Sequence, residues 1–410
     1  MSTDLRDRLR RLGVHKGAAN VTPKPKRKSH LESLITGEVI ETDYGPTFIH
    51  TERYAPDHVH GLRPLRELLD LPGSIAARLA GLDPEEMNLR RTVFIDTETT
   101  GLSGGTGTLA FVVGVGMFDD EDRFKLHQYF LRNPNEEAAM LLHLSETLDQ
   151  YTSLVSFNGR GFDLPLLQTR FTLARMRPKI LTAPHLDLLP PARRVWKGRY
   201  ESCSLSTLEY HVLQVQREQA DVSGALIPQM YFDYQRSGDA SEMPRVMYHN
   251  ALDILSMVSL STHLIQLLAR STEAIEDSAD LFALGKWAAD RGELDRAELL
   301  LRQAIDRSDD LKIKNEARSR LASIYKQLDR RDQAIEVWQE LAQHPASHRI
   351  DLSITACIEL AKHFEWQAID LKRAIKWTQR GLKLAEDFPD QLLLQELRHR
   401  SDRLERKLQK

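Results

Sequence analysis

Cysteine is almost missing from this chain. Only Cys203 and Cys357 occur among its 410 residues, and they lie far apart. A cysteine-rich zinc site or a disulfide framework needs several cysteines at suitable spacings. Both are therefore excluded, and the fold has to be stabilised by packing.

Long hydrophobic runs are missing as well. No stretch approaches the roughly 18 uninterrupted apolar residues of a membrane span, and no apolar segment follows the arginines of the amino terminus "MSTDLRDRLRRLGVHKG". We therefore expect a cytoplasmic protein without a membrane partner. The net charge is only -3, so any attraction to nucleic acid must come from local patches.

The composition is that of a globular protein. With 41% apolar and 28% charged residues, the chain is long enough for two or three domains. Residues 1–30 carry many Lys and Arg without periodic apolar residues, which predicts a disordered basic arm. Residues 31–90 mix short alternating runs with a helical segment, and we interpret them as a lead-in subdomain.

Residues 91–270 have the pattern of an α/β domain. Three strand-like segments, "TVFID", "TLAFVVGVGMF" and "RFKLHQYFL", are followed by a helix, a further strand "SLVSF" and another helix. The second and third segments are joined only by a short acidic link, so they are expected to pair antiparallel. The pattern predicts a mixed sheet covered by helices.

Residues 278–410 have a helical pattern that repeats every 37 to 40 residues. Two sets of positions align between the repeats, namely Leu284, Leu321 and Leu360, and Ala297, Ala334 and Ala374. The repeat resembles the tetratricopeptide repeat, whose usual period is about 34 residues. Such helices either bind a protein partner on a concave face or form a stabilising cap.

The segment "FIDTETTGL", residues 94–102, carries two carboxylates at a meaningful spacing. Residues two apart in a strand face the same side, so Asp96 and Glu98 project together from the end of an apolar strand. Paired carboxylates repel each other, whereas Mg²⁺ and Mn²⁺ prefer such oxygen ligands. Taken alone, the pattern is also compatible with an ordinary acidic turn.

Two further acidic residues are candidate site residues because of their positions in helical segments. Asp163 follows the loop "NGRG" and begins a helical segment, where a lone aspartate most often caps the helix. Asp253 lies in the helical segment "MPRVMYHNALDILSMVSLSTHL" among apolar neighbours. A carboxylate in such surroundings is costly unless it is paired, hydrogen-bonded or bound to a metal.

In this order, the motifs resemble those of the DEDD, or DnaQ-like, 3′-to-5′ exonucleases, which have a ribonuclease-H-like fold. The resemblance is carried by "DTETTGL", "NGRGFD" and the helical aspartate with an imidazole or phenol upstream, over about residues 91–265. Within that superfamily the chain resembles the bacterial YprB group, in which such a domain is joined to helical repeats. The expected fold is therefore an α/β ribonuclease-H-like domain followed by an all-α, tetratricopeptide-like domain.

The resemblance also implies roles for individual residues. It implies two divalent metal ions, Mg²⁺ or Mn²⁺, held by Asp96, Glu98, Asp163 and Asp253. It implies that the turn after the first motif grips the terminal nucleotide, with Thr99 and with Leu102 as a wedge against the base. Asn158, which opens the second motif, is assigned to nucleic-acid binding on the same basis.

The turn after the first motif, "SGGTGT" at residues 103–108, is unusually rich in glycine. It is not a P-loop, because it contains no lysine and lacks the required spacing. The turn either brings backbone amides close to a phosphate or serves as a flexible connector.

The proton acceptor departs from both versions found in the resembled family, a histidine five residues before the last aspartate or a tyrosine four before it. Here Tyr248 stands at minus five and His249 at minus four. On a helix of about 3.6 residues per turn, a residue four positions back lies about 40° from the aspartate and one five back about 140°. Histidine also titrates near neutral pH. We therefore assign the general base to His249, with Tyr248 as the alternative.

The segment "PPARRVWKGRY", residues 190–200, combines basic and aromatic side chains. Basic residues neutralise phosphates and aromatic rings stack on unpaired bases. A path for single-stranded nucleic acid is therefore predicted along Arg193, Arg194, Trp196 and Lys197. The pattern is equally compatible with Trp196 in the core and its basic neighbours on a solvated face.

The leading hypothesis is a metal-dependent 3′-to-5′ exonuclease that acts on single-stranded DNA or RNA, with repeats that recruit a protein partner. The alternative is a catalytically weak scaffold that binds nucleic acid or protein, because the order of Tyr248 and His249 is unusual. The presence of all four carboxylates favours the enzyme, since an idle acidic cluster would burden folding.

Overall fold

A computed structural model describes residues 29–101, 105–218, 221–386 and 390–409. Nearly all of the predicted basic arm, residues 1–28, lies outside these ranges. Leu102, the predicted wedge, also lies outside the described residues.

A seven-stranded mixed sheet forms the centre of the amino-terminal part. The described residues contain nine strands in all, which are β1 (Glu38–Thr42), β2 (Gly45–Tyr54), β3 (Val59–His60), β4 (Arg63–Pro64), β5 (Thr92–Thr99), β6 (Ala110–Phe118), β7 (Phe124–Phe130), β8 (Ser153–Ser156) and β9 (His185–Asp187). The order across the sheet is β1-β2-β7-β6-β5-β8-β9, and β3 pairs with β4 separately. Neighbours from β1 to β5 in this order are antiparallel, whereas β8 and β9 run parallel to β5. The predicted mixed α/β fold is confirmed.

Strand β6 explains why the sequence there is continuously apolar instead of alternating. All nine of its residues are buried, because the sheet is covered on both faces at this point. The β6 and β7 strands pair antiparallel through a short acidic turn, as predicted from the length of their link.

The hairpin of β1 and β2 comes from the predicted lead-in segment and extends the same sheet. Its second strand pairs with β7 from Phe48 opposite Phe130 to Tyr54 opposite Phe124. The lead-in segment and the α/β domain therefore share one sheet.

Helices cover the sheet, and the longest one runs across its centre. They are α1 (Leu31–Leu34), α2 (Gly73–Ala80), α3 (Glu137–Leu148), α4 (Asp163–Leu173), α5 (Leu189–Trp196), α6 (Leu205–Leu208), α7 (Ile227–Ser237) and α8 (Met243–Ala269). Helix α8 packs against β5, β6 and β7. Among the described residues it alone is long and apolar enough to cross a membrane, but 78% of its apolar stretch is buried inside the protein. It therefore has the character of a core helix.

The carboxyl-terminal part consists of helices, with no strand in its described residues. These are α9 (Ser278–Asp290), α10 (Leu294–Arg307), α11 (Leu311–Gln327), α12 (Arg331–Gln343), α13 (Ile350–Trp366), α14 (Leu371–Ala385) and α15 (Gln391–Leu408). The leucines and alanines predicted to be equivalent between repeats are all buried. An all-α region after the α/β domain is thus confirmed, whereas its assignment to the tetratricopeptide repeats stays a prediction.

Candidate active site

Strand β5 carries the first pair of predicted site residues. Asp96 pairs with Gly114 of β6, and Glu98 pairs with Val112. The register between β5 and β6 shifts directly after Glu98, and such a bulge changes the direction of nearby side chains. Only 9% of Glu98 is exposed, so this carboxylate lies inside the domain.

Asp163 is the first residue of α4 and is hydrogen-bonded to Thr97 of β5. Its Oδ1 accepts hydrogen bonds from the backbone N of Thr97 at 3.1 Å and from the Thr97 hydroxyl at 2.5 Å. Thr97 stands between Asp96 and Glu98 in the sequence. These two hydrogen bonds therefore hold the carboxylate of Asp163 against the segment of β5 that carries Asp96 and Glu98.

Asp253 lies on α8 and is paired with Arg217, a residue that sequence reasoning did not single out. The Nη2 of Arg217 donates to Asp253 Oδ1, while its Nε and Nη2 donate to Glu209 at 2.6 and 2.7 Å. Burial alone would lower the pKa of Arg217, but its hydrogen bonds to Glu209 and the charge of Asp253 raise it. Arg217 Nη1 also donates to Asp221 at 3.3 Å, so the guanidinium is held as a cation among three carboxylates.

Asp96 and Glu98 both lie within electrostatic reach of Asp163 and Asp253. Burial raises the pKa of Asp96 and of Glu98 well above the usual range, and the negative charges of Asp253 and Asp163 raise both further. Burial also raises the pKa of Asp163 and Asp253, although Arg217 offsets part of the rise at Asp253. The site therefore gathers more negative charge than its surroundings compensate, which is a setting that favours cations.

His249 and Tyr248 occupy different surroundings on α8. The Nε2 of His249 lies 3.8 Å from Asp253 Oδ2, and its Nδ1 lies 2.8 Å from Asp221 Oδ1. Burial raises the pKa of Tyr248, and the negative charge of Glu218 raises it further. Only the imidazole contacts the carboxylate of Asp253 among these two side chains, as expected from the helical spacing. Which of them accepts a proton stays a prediction.

The ring of His249 also has a neighbour on its Nδ1 side that sets its tautomer. Nδ1 either donates to Asp221 or accepts from Arg217 Nη1, which lies 3.1 Å away. Burial would raise the pKa of Asp221, but its hydrogen bond with His249 and the positive charges of His249 and Arg217 together lower that pKa. An ionised Asp221 favours the proton on Nδ1 and leaves Nε2 as the acceptor that faces Asp253.

An open cleft of about 490 Å³ is lined by two of the four carboxylates, Glu98 and Asp163, and by Thr99 and Phe162, among others. Phe162 is 58% exposed. It directly precedes Asp163 in the segment "NGRGFD", and this position in the second motif is the sequence feature that could have predicted its place in the cleft. The hydroxyl of Thr99 donates to the carbonyl of Gly101 at 2.9 Å, which shapes the turn that borders the cleft.

The glycine-rich turn is anchored to the α/β domain by Arg170 of α4. Its Nη1 donates to the carbonyl of Thr106 at 2.6 Å, and its Nε donates to Glu137 at 2.6 Å. Gly105 has a φ of 107°, a conformation that favours glycine. Residues 103 and 104 lie outside the described ranges, and both interpretations of the turn stay open.

The loop that leads to Asp163 is fixed by Asp187 at the end of β9. Its carboxylate accepts from the backbone N of Asn158 at 2.7 Å and of Arg160 at 3.1 Å. It also accepts from the backbone N of Leu189 at 3.1 Å. Asn158 has a φ of 65°, a left-handed conformation that asparagine tolerates. Asp187 is therefore one of the residues that position Asp163, and sequence reasoning missed this role.

The basic and aromatic segment at 190–200 lies at the junction with the carboxyl-terminal helices. Trp196 is 1% exposed, so its indole belongs to the core and cannot stack on a base as predicted. Arg194 lies 5.4 Å above the ring of Trp287, a contact with the helical region. Arg193 and Lys197 are exposed, and their role in nucleic-acid binding stays a prediction.

The donor set suits a hard divalent cation, because all four residues are carboxylates. Within the described ranges, however, no three side chains of Asp, Glu, His or Cys lie close enough together to hold one ion. Asp253 is engaged by Arg217, and Asp163 by Thr97. The chemistry of the donors fits Mg²⁺ or Mn²⁺, whereas the described arrangement of these side chains does not form a complete ion site.

Comparison with known proteins agrees with this fold. Residues 93–265, which include all four carboxylates, match a family model of the RNase_H superfamily. The α/β domain is thus a ribonuclease H superfamily domain, and this fold supports a nuclease.

A curated relative covers most of the chain. The uncharacterized protein YprB of Bacillus subtilis (strain 168) is 32% identical over 350 residues, which are 84% of this chain and 82% of that protein. The chain therefore belongs to the same family as YprB. The predicted relationship to YprB is confirmed, whereas the DEDD subtype stays a prediction.

Proposed function

We propose that the protein is a metal-dependent 3′-to-5′ exonuclease that hydrolyses phosphodiester bonds at single-stranded ends of DNA or RNA. The observation that carries this proposal is that the charges of Asp163 and Asp253 reach both Asp96 and Glu98, while Glu98 and Asp163 line an open cleft. The four residues come from three separate segments of a ribonuclease H superfamily domain. Gathering four carboxylates costs stability, which makes a purely structural role a poor explanation.

In the proposed mechanism the four carboxylates hold two divalent ions, Mg²⁺ or Mn²⁺. When bound, such ions lower the pKa of a water and stabilise the charge on the leaving 3′ oxygen. Thr97 orients Asp163 through two hydrogen bonds. His249 accepts the proton of the attacking water at Nε2, because Asp221 holds the other ring nitrogen.

The cleft favours a single strand over a duplex in this proposal. A flexible strand brings its terminal phosphodiester to Glu98 and Asp163, which line the cleft, and its last base reaches an exposed aromatic ring such as Phe162. Thr99 lines the same cleft, and both Thr99 and Asn158 are proposed to contact the terminal nucleotide.

The test is a cleavage assay with 5′-labelled single-stranded DNA and RNA in the presence of Mg²⁺ or Mn²⁺. We expect a ladder that shortens from the 3′ end, and no ladder with Asp96→Ala. Asp120→Ala is the matched control, because this carboxylate is exposed in the turn between β6 and β7 of the same domain. Products of internal cleavage would contradict the exonuclease proposal and would indicate an endonuclease instead.

The base assignment is tested by two further variants in the same assay. His249→Phe is expected to lose cleavage with retained binding of the oligonucleotide, whereas Tyr248→Phe is expected to keep both. If only the tyrosine variant is inactive, the assignment to His249 is wrong.

The alternative function, a weakly catalytic scaffold, draws on the contact of Arg217 with Asp253. It predicts intact substrate with retained binding of the oligonucleotide. Two remaining parts of the proposal come from sequence reasoning, namely a protein partner for the helical region and a cytoplasmic location.

A further inference from the structure

Three neighbouring strands place Asp96 at the end of a row across the sheet. Asp96 pairs with Gly114, and Gly114 in turn pairs with Gln128. In such a row the side chains point to the same face of the sheet. The middle position has no side chain, which leaves a gap between the carboxylate and the amide.

Asn250 of α8 fills this gap. A Cβ atom at Gly114 would lie 2.3 Å from Asn250 Oδ1, far inside van der Waals contact. Asn250 and Gln128 are each 0% exposed. The amide of Asn250 therefore reaches the sheet only because glycine occupies position 114.

The hydrogen bonds run in one direction along this row. Gln128 Nε2 donates to the carbonyl of Met247 at 2.7 Å and to Asn250 Oδ1 at 2.8 Å. Because Asn250 Oδ1 accepts from Gln128, its Nδ2 faces the other way and donates to Asp96 Oδ2 at 2.8 Å and to the Asp96 carbonyl at 3.3 Å. The hydrogen bond from Gln128 thus orients the Asn250 amide with its Nδ2 towards the carboxylate of Asp96.

We propose that Asn250 is a positioning residue that fixes the carboxylate of Asp96 for ion binding. This inference rests on the proposed function, because it takes Asp96 as a metal ligand. Asn250 precedes Asp253 by three residues, about 60° around the helix, so α8 supplies one ligand and orients another. Hydrogen-bonding partners of metal ligands commonly matter for affinity almost as much as the ligands.

A purely structural role would be that the amide only attaches α8 to the sheet. Ser256→Ala provides the matched control, since Ser256 is also fully buried on α8 and is hydrogen-bonded to His60 at 2.8 Å. This hydrogen bond also attaches α8 to its surroundings, but it does not involve a carboxylate of the site.

The experiment measures Mn²⁺ affinity of the full chain by isothermal titration calorimetry, beside thermal denaturation and cleavage kinetics. Asn250→Leu, which keeps the volume but removes the donor, is expected to weaken Mn²⁺ binding about 10- to 100-fold. The cleavage kcat should fall while the KM for the oligonucleotide changes little. Ser256→Ala should lower thermal stability and leave Mn²⁺ affinity unchanged.

The outcomes separate this inference from the proposed function. Unchanged Mn²⁺ affinity in folded Asn250→Leu overturns the inference alone, whatever the cleavage assay gives. If the wild-type protein binds Mn²⁺ but does not cleave, weaker Mn²⁺ binding by Asn250→Leu supports the inference, and the exonuclease proposal is overturned. A wild-type protein that binds no Mn²⁺ overturns both. Should Asn250→Leu fail to fold, Asn250→Ser replaces it, because its short hydroxyl cannot span from Gln128 to Asp96.

Discussion

Replacing Arg217 by methionine should strongly destabilise the metal-free protein. The substitution keeps an unbranched side chain of similar length and removes the positive charge. In the wild-type protein the Arg217 side chain is 15% exposed, that of Glu209 2% and that of Asp253 19%. The variant therefore leaves the largely buried carboxylates of Glu209 and Asp253 without their cation, and it also removes the contact of Arg217 with Asp221.

The expected loss follows from these contacts. Removing one partner of a buried ion pair costs about 3 to 5 kcal/mol, and the partial exposure of Asp253 places the expected value near the lower end, at about 3 kcal/mol. For a domain of this size, each kcal/mol lowers the melting temperature by about 2 to 4 °C. We therefore expect a decrease of about 6 to 12 °C at pH 8.

The sign of the pH dependence gives an independent check. Burial already raises the pKa of Asp253, and loss of the cation raises it further. A carboxyl group whose pKa is raised in the folded state costs stability progressively as pH rises from its unfolded-state pKa to its folded-state pKa, and this penalty is absent below the unfolded-state pKa. The difference between variant and wild type should therefore be smaller at pH 5 than at pH 8.

The measurement is thermal denaturation followed by circular dichroism, with a chelator present. Arg236→Met is the matched control, because that arginine is 75% exposed and pairs with a half-exposed Asp233. Exposed pairs contribute about 0 to 1 kcal/mol. If Arg217→Met melts like this control, or if its loss is equal at both pH values, the electrostatic argument for Arg217 is refuted.

Three further predictions concern other parts of the site. Burial and neighbouring charges raise the pKa of Asp96 and Glu98, so the metal-free protein should lose stability as pH rises above the usual carboxylate range. Asp96→Asn should weaken this pH dependence. Equal pH slopes of the melting temperature in variant and wild type would contradict the prediction. Trp196→Ala should cost about 3 to 5 kcal/mol of unfolding free energy without changing oligonucleotide affinity, and weaker binding in fluorescence anisotropy by the folded variant would restore its predicted role. Phe162→Ala should weaken single-strand binding by about 1 to 3 kcal/mol with unchanged stability, and an unaltered Kd would remove the ring from the substrate path.

The structure separates two kinds of prediction. The strand at 92–99, the antiparallel pair after it and the buried helix at 243–269 agree with the sequence patterns, because the apolar periods of strands and helices are local properties. The same local geometry correctly places His249, and not Tyr248, beside Asp253.

The partners of the polar groups could not be predicted in this way. Arg217 stands in a polar segment that carries no motif, and its contact with Asp253 spans 36 positions. Asn250 and Asp96 are 154 positions apart. Trp196 had two equally compatible interpretations, and its burial decided between them.

By itself, the sequence determined the kinds of element, the order of the motifs and the family, because these depend on local periodicity and on residue types at short spacings. Only the tertiary structure decided that the lead-in hairpin extends the central sheet and which side chain neutralises or orients each carboxylate. The physical reason is that a hydrogen bond or an ion pair needs its partner within a few ångströms. Folding alone establishes that proximity between residues far apart in the chain.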